Sequence, residues 1–249
     1  MQLGRRKDSR TRLQRNIAMN TSDTVNADSR WKPLYRIGAA AALFAVAIYL
    51  IHLIVFIVWG QPESALGWFN LFKTNMLGGL LAFELLLVIS SGLGIATTLA
   101  LYAALRRVNE SLMAIALALG LVEAVAFIVA RPAFEMLYLS KGYAAATTDA
   151  QRDAFLAAGE AMLATFNGTA FHLSINLFSI YFLIVPLVML QSNIFGRVTA
   201  YVGILAAIFN WALYVPEIGI FLSILSVFPF LLIWNILIAR RLFQLGRSS

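Results

Sequence analysis

The chain has 249 residues, of which 61% are hydrophobic and 12% charged, with mean hydropathy +0.81, net charge +7 and no cysteine. A soluble domain of this length carries about 25% charged residues, so this composition excludes a water-soluble fold and makes lipid the solvent for much of the surface. The missing cysteines exclude disulfides, thiolate nucleophiles and cysteine metal sites.

The first 36 residues hold nine Lys/Arg against three Asp. Beside a membrane span this charge reads as cytoplasmic retention and attraction to anionic lipid, about 1 kcal/mol per basic residue near the surface. It is not read as a nucleic-acid arm. Residues 1–33 show no apolar period and are expected to form a loosely held tail. The first span is expected over 34–58. It is too long for a signal h-region, so it is read as retained. Gly60, Gln61, Pro62 and Glu63 end it, with Trp59 and Trp68 suited to an interfacial belt.

A second span over 76–105 exceeds the ~20 residues a bilayer needs, and Ser90-Ser91-Gly92 with Gly94 is the expected weak point. Gly78-Gly79 and Gly92-Leu-Gly94 are read as close helix contacts. A third span covers 111–130 and stops at Arg131-Pro132. Thr148-Asp149-Ala150-Gln151 then has capping-box spacing. The helix it starts should be amphipathic and lie on the membrane or cap the bundle. Spans four, five and six follow over 169–190, 198–215 and 218–239, with Pro229 expected to bend the last. Residues 244–249 form a second tail. The fold class is all-α: a six-span bundle with a surface helix between spans three and four.

With the N-terminus inside, the cytoplasmic segments collect fifteen Lys/Arg and the outer ones four, Lys73, Arg131, Lys141 and Arg152. That asymmetry puts both termini in the cytoplasm. Without the tail the split is only six to four.

Two stretches carry a resemblance. One is Ala100-Leu-Tyr-Ala-Ala-Leu-Arg-Arg-Val-Asn-Glu-Ser-Leu112 with Gly120-Leu-Val-Glu-Ala124. The other runs from Leu156 through Asn167-Gly168 and the fourth span to Phe195-Gly196-Arg197-Val198. Together they resemble, over about residues 34–243, a largely bacterial multispan membrane family catalogued as a domain of unknown function (number 4386). The resemblance implies the helix count and a bacterial cytoplasmic (inner) membrane protein. It brings no activity or catalytic residues.

Ionisable groups inside a span cost about 2.5–3.5 kcal/mol at the centre, so those present need a reason. His52, Glu84 and Glu123 are expected about 9–12 Å below the outer boundary, and His172 about 5 Å down, at 1.5 Å per residue. Asn210 falls at a similar depth. His172, Asn176 and Ser179 share one helical face, and Glu84, Ser91 and Thr98 recur every seven residues. Glu84, Glu123, His52, His172, Asn176 and Asn210 are therefore the candidate ligand- or proton-binding residues of an outward-facing polar cavity.

Three readings are open. The first is a small-molecule or proton-coupled carrier, with Glu84 or Glu123 protonating and His172 as relay. The second is a partner or sensor whose polar residues only hold helices together. The third is a metal-dependent hydrolase with His52, His172, Glu84 and Glu123 as ligands. No His-Glu-x-x-His, in-span Asp, phosphate-binding loop or dinucleotide fingerprint occurs, so the common intramembrane protease, nucleotide-driven and dinucleotide chemistries are disfavoured and no cofactor is expected.

Overall fold

A computed structural model describes residues 30–247. The expected N-terminal tail, apart from residues 30–33, and the last two residues lie outside that range. Among the described residues there is no strand, and six helices are long and apolar enough to cross a membrane. The protein is a multispan integral membrane protein.

Helix α1 (Lys32–Trp59) opens on a proline in its first turn, where the missing N–H has no partner to lose. It ends at Gly60, whose φ of +62° favours glycine. Two short helices follow, α2 (Ala65–Thr74) and α3 (Met76–Ala82), capped by the Ser64 and Asn75 side chains. The second span is α4 (Leu85–Leu105) and the third α5 (Glu110–Val129), which Asn109 caps. Helices α6 (Ala133–Ala145) and α7 (Asp149–Phe166) then lie between spans, and α8 (Thr169–Leu190) is the fourth span. The fifth is α9 (Arg197–Trp211), closed by a 3-10 turn at Ala212–Tyr214. The sixth is interrupted: α10 (Gly219–Leu225), an irregular stretch Ser226–Leu231 and α11 (Leu232–Arg247).

Three differences from the sequence reading matter. The second apolar run does not weaken at Ser90–Gly94; α4 is regular there and the break falls at Phe83-Glu84, where Glu84 takes φ +64°. Gly92 and Gly94 meet no neighbouring atoms, so they make no close helix contact, whereas Gly79 sits against the Phe72 ring. Finally, α2 and α6 fall where loops were expected. Each is too short to show a clear period, and each is held by packing instead.

Around the bundle, α1 packs on α4 and α11, α4 on α5, α5 on α8, α8 on α9, and α9 on the irregular stretch and α11. The spans therefore form a ring. Arg36 Nε donates to the Gly246 carbonyl at 3.1 Å, so the first and last helices meet at one end of the bundle. Gly38, with Ala39, Ala41, Ala42 and Ala45, gives α1 a small-residue face on which α4 and α11 pack closely. That terminal end is a solid core including Leu101, Leu105, Met113, Val188, Ile238 and Leu242. Large side chains such as Ile57 and Ile220, each 72% exposed, cover the perimeter. In water such exposure is unfavourable; against lipid it is not.

The other end is covered by α2, α3, α6 and α7. The capping box at Thr148 and Gln151 is formed in full. Glu160 on α7 accepts from the Ala65 N–H at 2.8 Å, satisfying a free donor at the start of α2. Trp68, Phe69, Phe72, Phe83, Met136 and Phe166 make a second core there. Gly159 lets α7 approach α2: a Cβ would stand 2.7 Å from Ala65 Cβ and 2.8 Å from the Phe69 ring. Replacing Gly159 with Leu improves helix propensity yet overpacks this contact. The expected loss is about 1–3 kcal/mol, read as a fall of roughly 2–10 °C in the melting temperature of the purified protein.

Candidate functional site

One cavity of about 480 Å³ lies inside the ring and touches all six spans. Its volume is that of a drug-sized ligand site. Toward the termini it is closed by the solid core, and at the opposite end it reaches the exposed Gln61. His52, Glu84, Glu123 and Asn210 line it; His172 and Asn176 do not.

The level remote from the termini is an ion pair. Arg131 Nε donates to Glu84 Oε2 at 2.5 Å, and the two side chains are only 3% and 14% exposed. Gln61 donates to the other carboxylate oxygen at 3.1 Å. Arg131 also donates to the Phe166 carbonyl at 3.1 Å. Its guanidinium lies over three rings, Phe127, Phe166 and Phe171, at 4.5, 4.3 and 4.7 Å. Such desolvated cation–π contacts are worth up to about 2 kcal/mol each. Glu84 occupies its left-handed backbone state at a cost of about 1–2 kcal/mol, offset by these bonds. His52 stands within electrostatic reach of both charges, and its buried Nδ1 has no hydrogen-bond partner among the described residues.

Glu123 lies deeper. It is eight residues before Arg131 on the same run of chain, about 12 Å along a helix. The expected shared layer of Glu84 and Glu123 is therefore corrected. The break at Phe83 brings Glu84 to the end of its span remote from the termini, level with Arg131, while Glu123 sits some two turns closer to the terminal end. Around Glu123 stand Tyr49 from α1 and Tyr181 from α8, the latter accepting from Thr98 at 3.2 Å. Among the described residues Glu123 has neither a hydrogen bond nor an ion pair through its carboxyl. It is a carboxyl aimed into a largely apolar chamber with nothing to answer it.

The stripe on α8 turns elsewhere. Ser179 accepts from Asn210 Nδ2 at 2.9 Å, and the same group donates to the Ile175 carbonyl. Asn176 accepts from Trp211 Nε1 at 3.2 Å and donates to Tyr214 Oη at 2.9 Å, which lies 3.2 Å from His172 Nδ1. This is a seam lacing α8 to α9. Of those polar side chains only Asn210 also borders the cavity. The sequence placed the stripe on one face correctly; the neighbouring helix, not the cavity, takes that face. The four residues of the metal alternative are consequently not assembled, and no group of three His, Cys, Asp or Glu suited to a metal occurs among the described residues.

The floor of the cavity is the broken sixth span. Phe228 has non-helical angles, φ −120° and ψ 103°, ahead of a cis peptide to Pro229. Ser226, Val227, Phe228, Trp234 and Asn235 all border the space. Non-helical backbone at membrane depth is tolerated where it is buried in protein or lines a cavity, and discontinuous spans mark the sites of many carriers. Both interruptions, at Glu84 and at Phe228, border this one cavity.

A family comparison agrees with the architecture. The profile described as Domain of unknown function (DUF4386) matches residues 33–243. The chain belongs to this family. The DUF4386 match runs across all six spans, the ion pair and the cavity. No curated protein and no solved structure matches the chain.

Sequence reasoning missed Arg131 and Gln61 as site residues, counting the first as an outer-loop charge. The available signal was an arginine at the end of one span facing a glutamate near the start of another. Breaking a buried pair by removing one partner costs about 3–5 kcal/mol, because the other charge stays buried. Arg131→Met is therefore expected to destabilise the purified protein by that amount. Adding Glu84→Gln should restore at least about half of it, measured by thermal unfolding of both single variants and the double.

Proposed function

We propose that this protein is a small-molecule carrier of proton-coupled type, with Glu123 as the group that exchanges a proton or binds the ligand. The observation that carries the reading is the unanswered Glu123 carboxyl inside a cavity bordered by both helix interruptions. An intramembrane ionisable residue is by default a functional group, and a structural one would normally be paired. Glu84, which is paired, serves as the structural member of the two. The ring of helices around a site closed toward the termini suits alternating access.

We place both termini in the cytoplasm of a bacterial inner membrane, with the mouth near Gln61 facing outward and the basic tail on anionic lipid. The fifteen-to-four division of Lys/Arg supports that orientation. Reporter fusions at both ends should be active in the cytoplasm only; an extracytoplasmic C-terminus rejects the six-span topology.

The carboxyl itself is tested with dicyclohexylcarbodiimide, an apolar electrophile that reaches protonated carboxylic acids through the lipid phase, takes up their proton on nitrogen and is attacked at its central carbon by the carboxylate oxygen. Peptide mass spectrometry of treated membranes should find Glu123 labelled and Glu84 unlabelled. Glu123→Gln should remove the label while keeping the melting temperature within about 3 °C, since a side chain without partners loses little on neutralisation. An unlabelled Glu123 with a strongly destabilised Glu123→Gln protein makes the carboxyl structural and ends the carrier reading.

A further inference from the structure

We infer that the ligand is a lipophilic organic cation, an apolar body carrying a single positive charge, which neutralises Glu123 in place of a proton. The inference rests on the carrier reading and names the substrate class of that same site.

Most polar groups around the cavity are satisfied within the protein; His52 Nδ1, Ser90 Oγ and Trp234 Nε1 have no partner among the described residues, and none of the three is an acid. Glu84 is bound by Arg131 and Gln61, Asn210 by α8, Thr98 by Tyr181, Ser226 by the Ala206 carbonyl and Asn235 by the Leu231 carbonyl. Arg131 and Glu84 cancel one another, so with the His52 imidazole neutral an ionised Glu123 leaves the chamber with one net negative charge. A monocation answers that charge. An anion would meet it at close range in a medium of low dielectric, where like charges repel strongly. A neutral ligand would leave it unanswered.

The walls fit the rest of such a molecule. Phe127, Phe178, Tyr181 and Phe182 line the space, and aromatic rings attract cations as well as apolar groups. The side of the chamber is apolar too. The outer part of α1 and α10 both border the cavity, through Phe56 and Ile224 among others, yet these helices do not pack broadly on one another. Phe56 is 46% and Ile224 44% exposed. A lipophilic molecule dissolved in the bilayer reaches the cavity between them without crossing water. Because a proton and the cation compete for one carboxyl, loading the cation releases the proton, and charge balances at each exchange.

Two ions of matched shape and opposite charge, tetraphenylphosphonium and tetraphenylborate, test this on the full-length protein in phosphatidylcholine nanodiscs by equilibrium dialysis. The phosphonium ion should bind saturably, with affinity falling as the pH is lowered. Glu123→Gln should weaken it at least about tenfold, and Glu123→Asp, which keeps the charge, by no more than about threefold. The borate ion should show no saturable binding. Phosphonium binding unaffected by Glu123→Gln, borate binding as tight, or no saturable phosphonium binding overturns the proposal. If carbodiimide still labels Glu123 in that case, only the substrate class falls; if labelling fails as well, the carrier reading falls with it.

Discussion

The Glu84–Arg131 ion pair holds together the half of this bundle remote from the termini. Its carboxylate comes from the break before α4 and its guanidinium from the end of α5. The guanidinium also grips the end of α7 through the Phe166 carbonyl and lies on Phe171 of α8. Gln61 ties in the segment after α1. Five parts of the chain thus converge on two side chains that exclude most water. In a low-dielectric setting such a pair is stable only when all its remaining donors and acceptors are occupied, and here the surrounding carbonyls and rings supply that. The backbone strain at Glu84 is the counterpart: the helix gives up its regular geometry so that the carboxylate reaches Arg131.

That convergence separates two acidic residues that look equivalent in the sequence. Glu84 is neutralised by a fixed internal cation and is part of the scaffold. Glu123, about two helical turns deeper, faces empty volume with no cation built for it. One carboxylate with its partner and one without give the cavity a fixed rim and a single unpaired acid. The asymmetry continues along the bundle axis. Small residues let α1, α4 and α11 close tightly at the terminal end, while Gly94 and the irregular stretch at Phe228 leave space in the middle.

Irregular backbone obeys the same solvent rule. Lipid supplies no hydrogen bonds, so a broken span is stable only where protein or a cavity surrounds it. The 3-10 turn after α9, the π-like stretch in the sixth span and the break at Phe83 all fall on the inner side or at the ends of the ring. The perimeter is left to regular helices bearing Ile, Leu, Val and Phe. Polar stripes follow this rule as well, but they have two ways to satisfy it: a cavity or a neighbouring helix. His172, Asn176 and Ser179 take the second, bonding to α9 through Tyr214, Trp211 and Asn210.

The sequence by itself determined the solvent, the all-α class, the six spans and the capped helix at Thr148. Each follows from local composition: apolar length against bilayer thickness, and a capping box that satisfies neighbouring N–H groups. Periodicity also determined which polar residues share a face. What that face meets was decided only by the tertiary structure, because periodicity fixes direction around one helix and says nothing of its neighbour. The break at Phe83-Glu84 was likewise beyond the sequence, since no Gly or Pro marks it and the ion pair with a residue 47 positions away holds it open. Arg131 shows the same limit. A charge beside a proline at the end of a span reads as a loop residue until three rings and a carboxylate, brought from three other helices and its own, surround it.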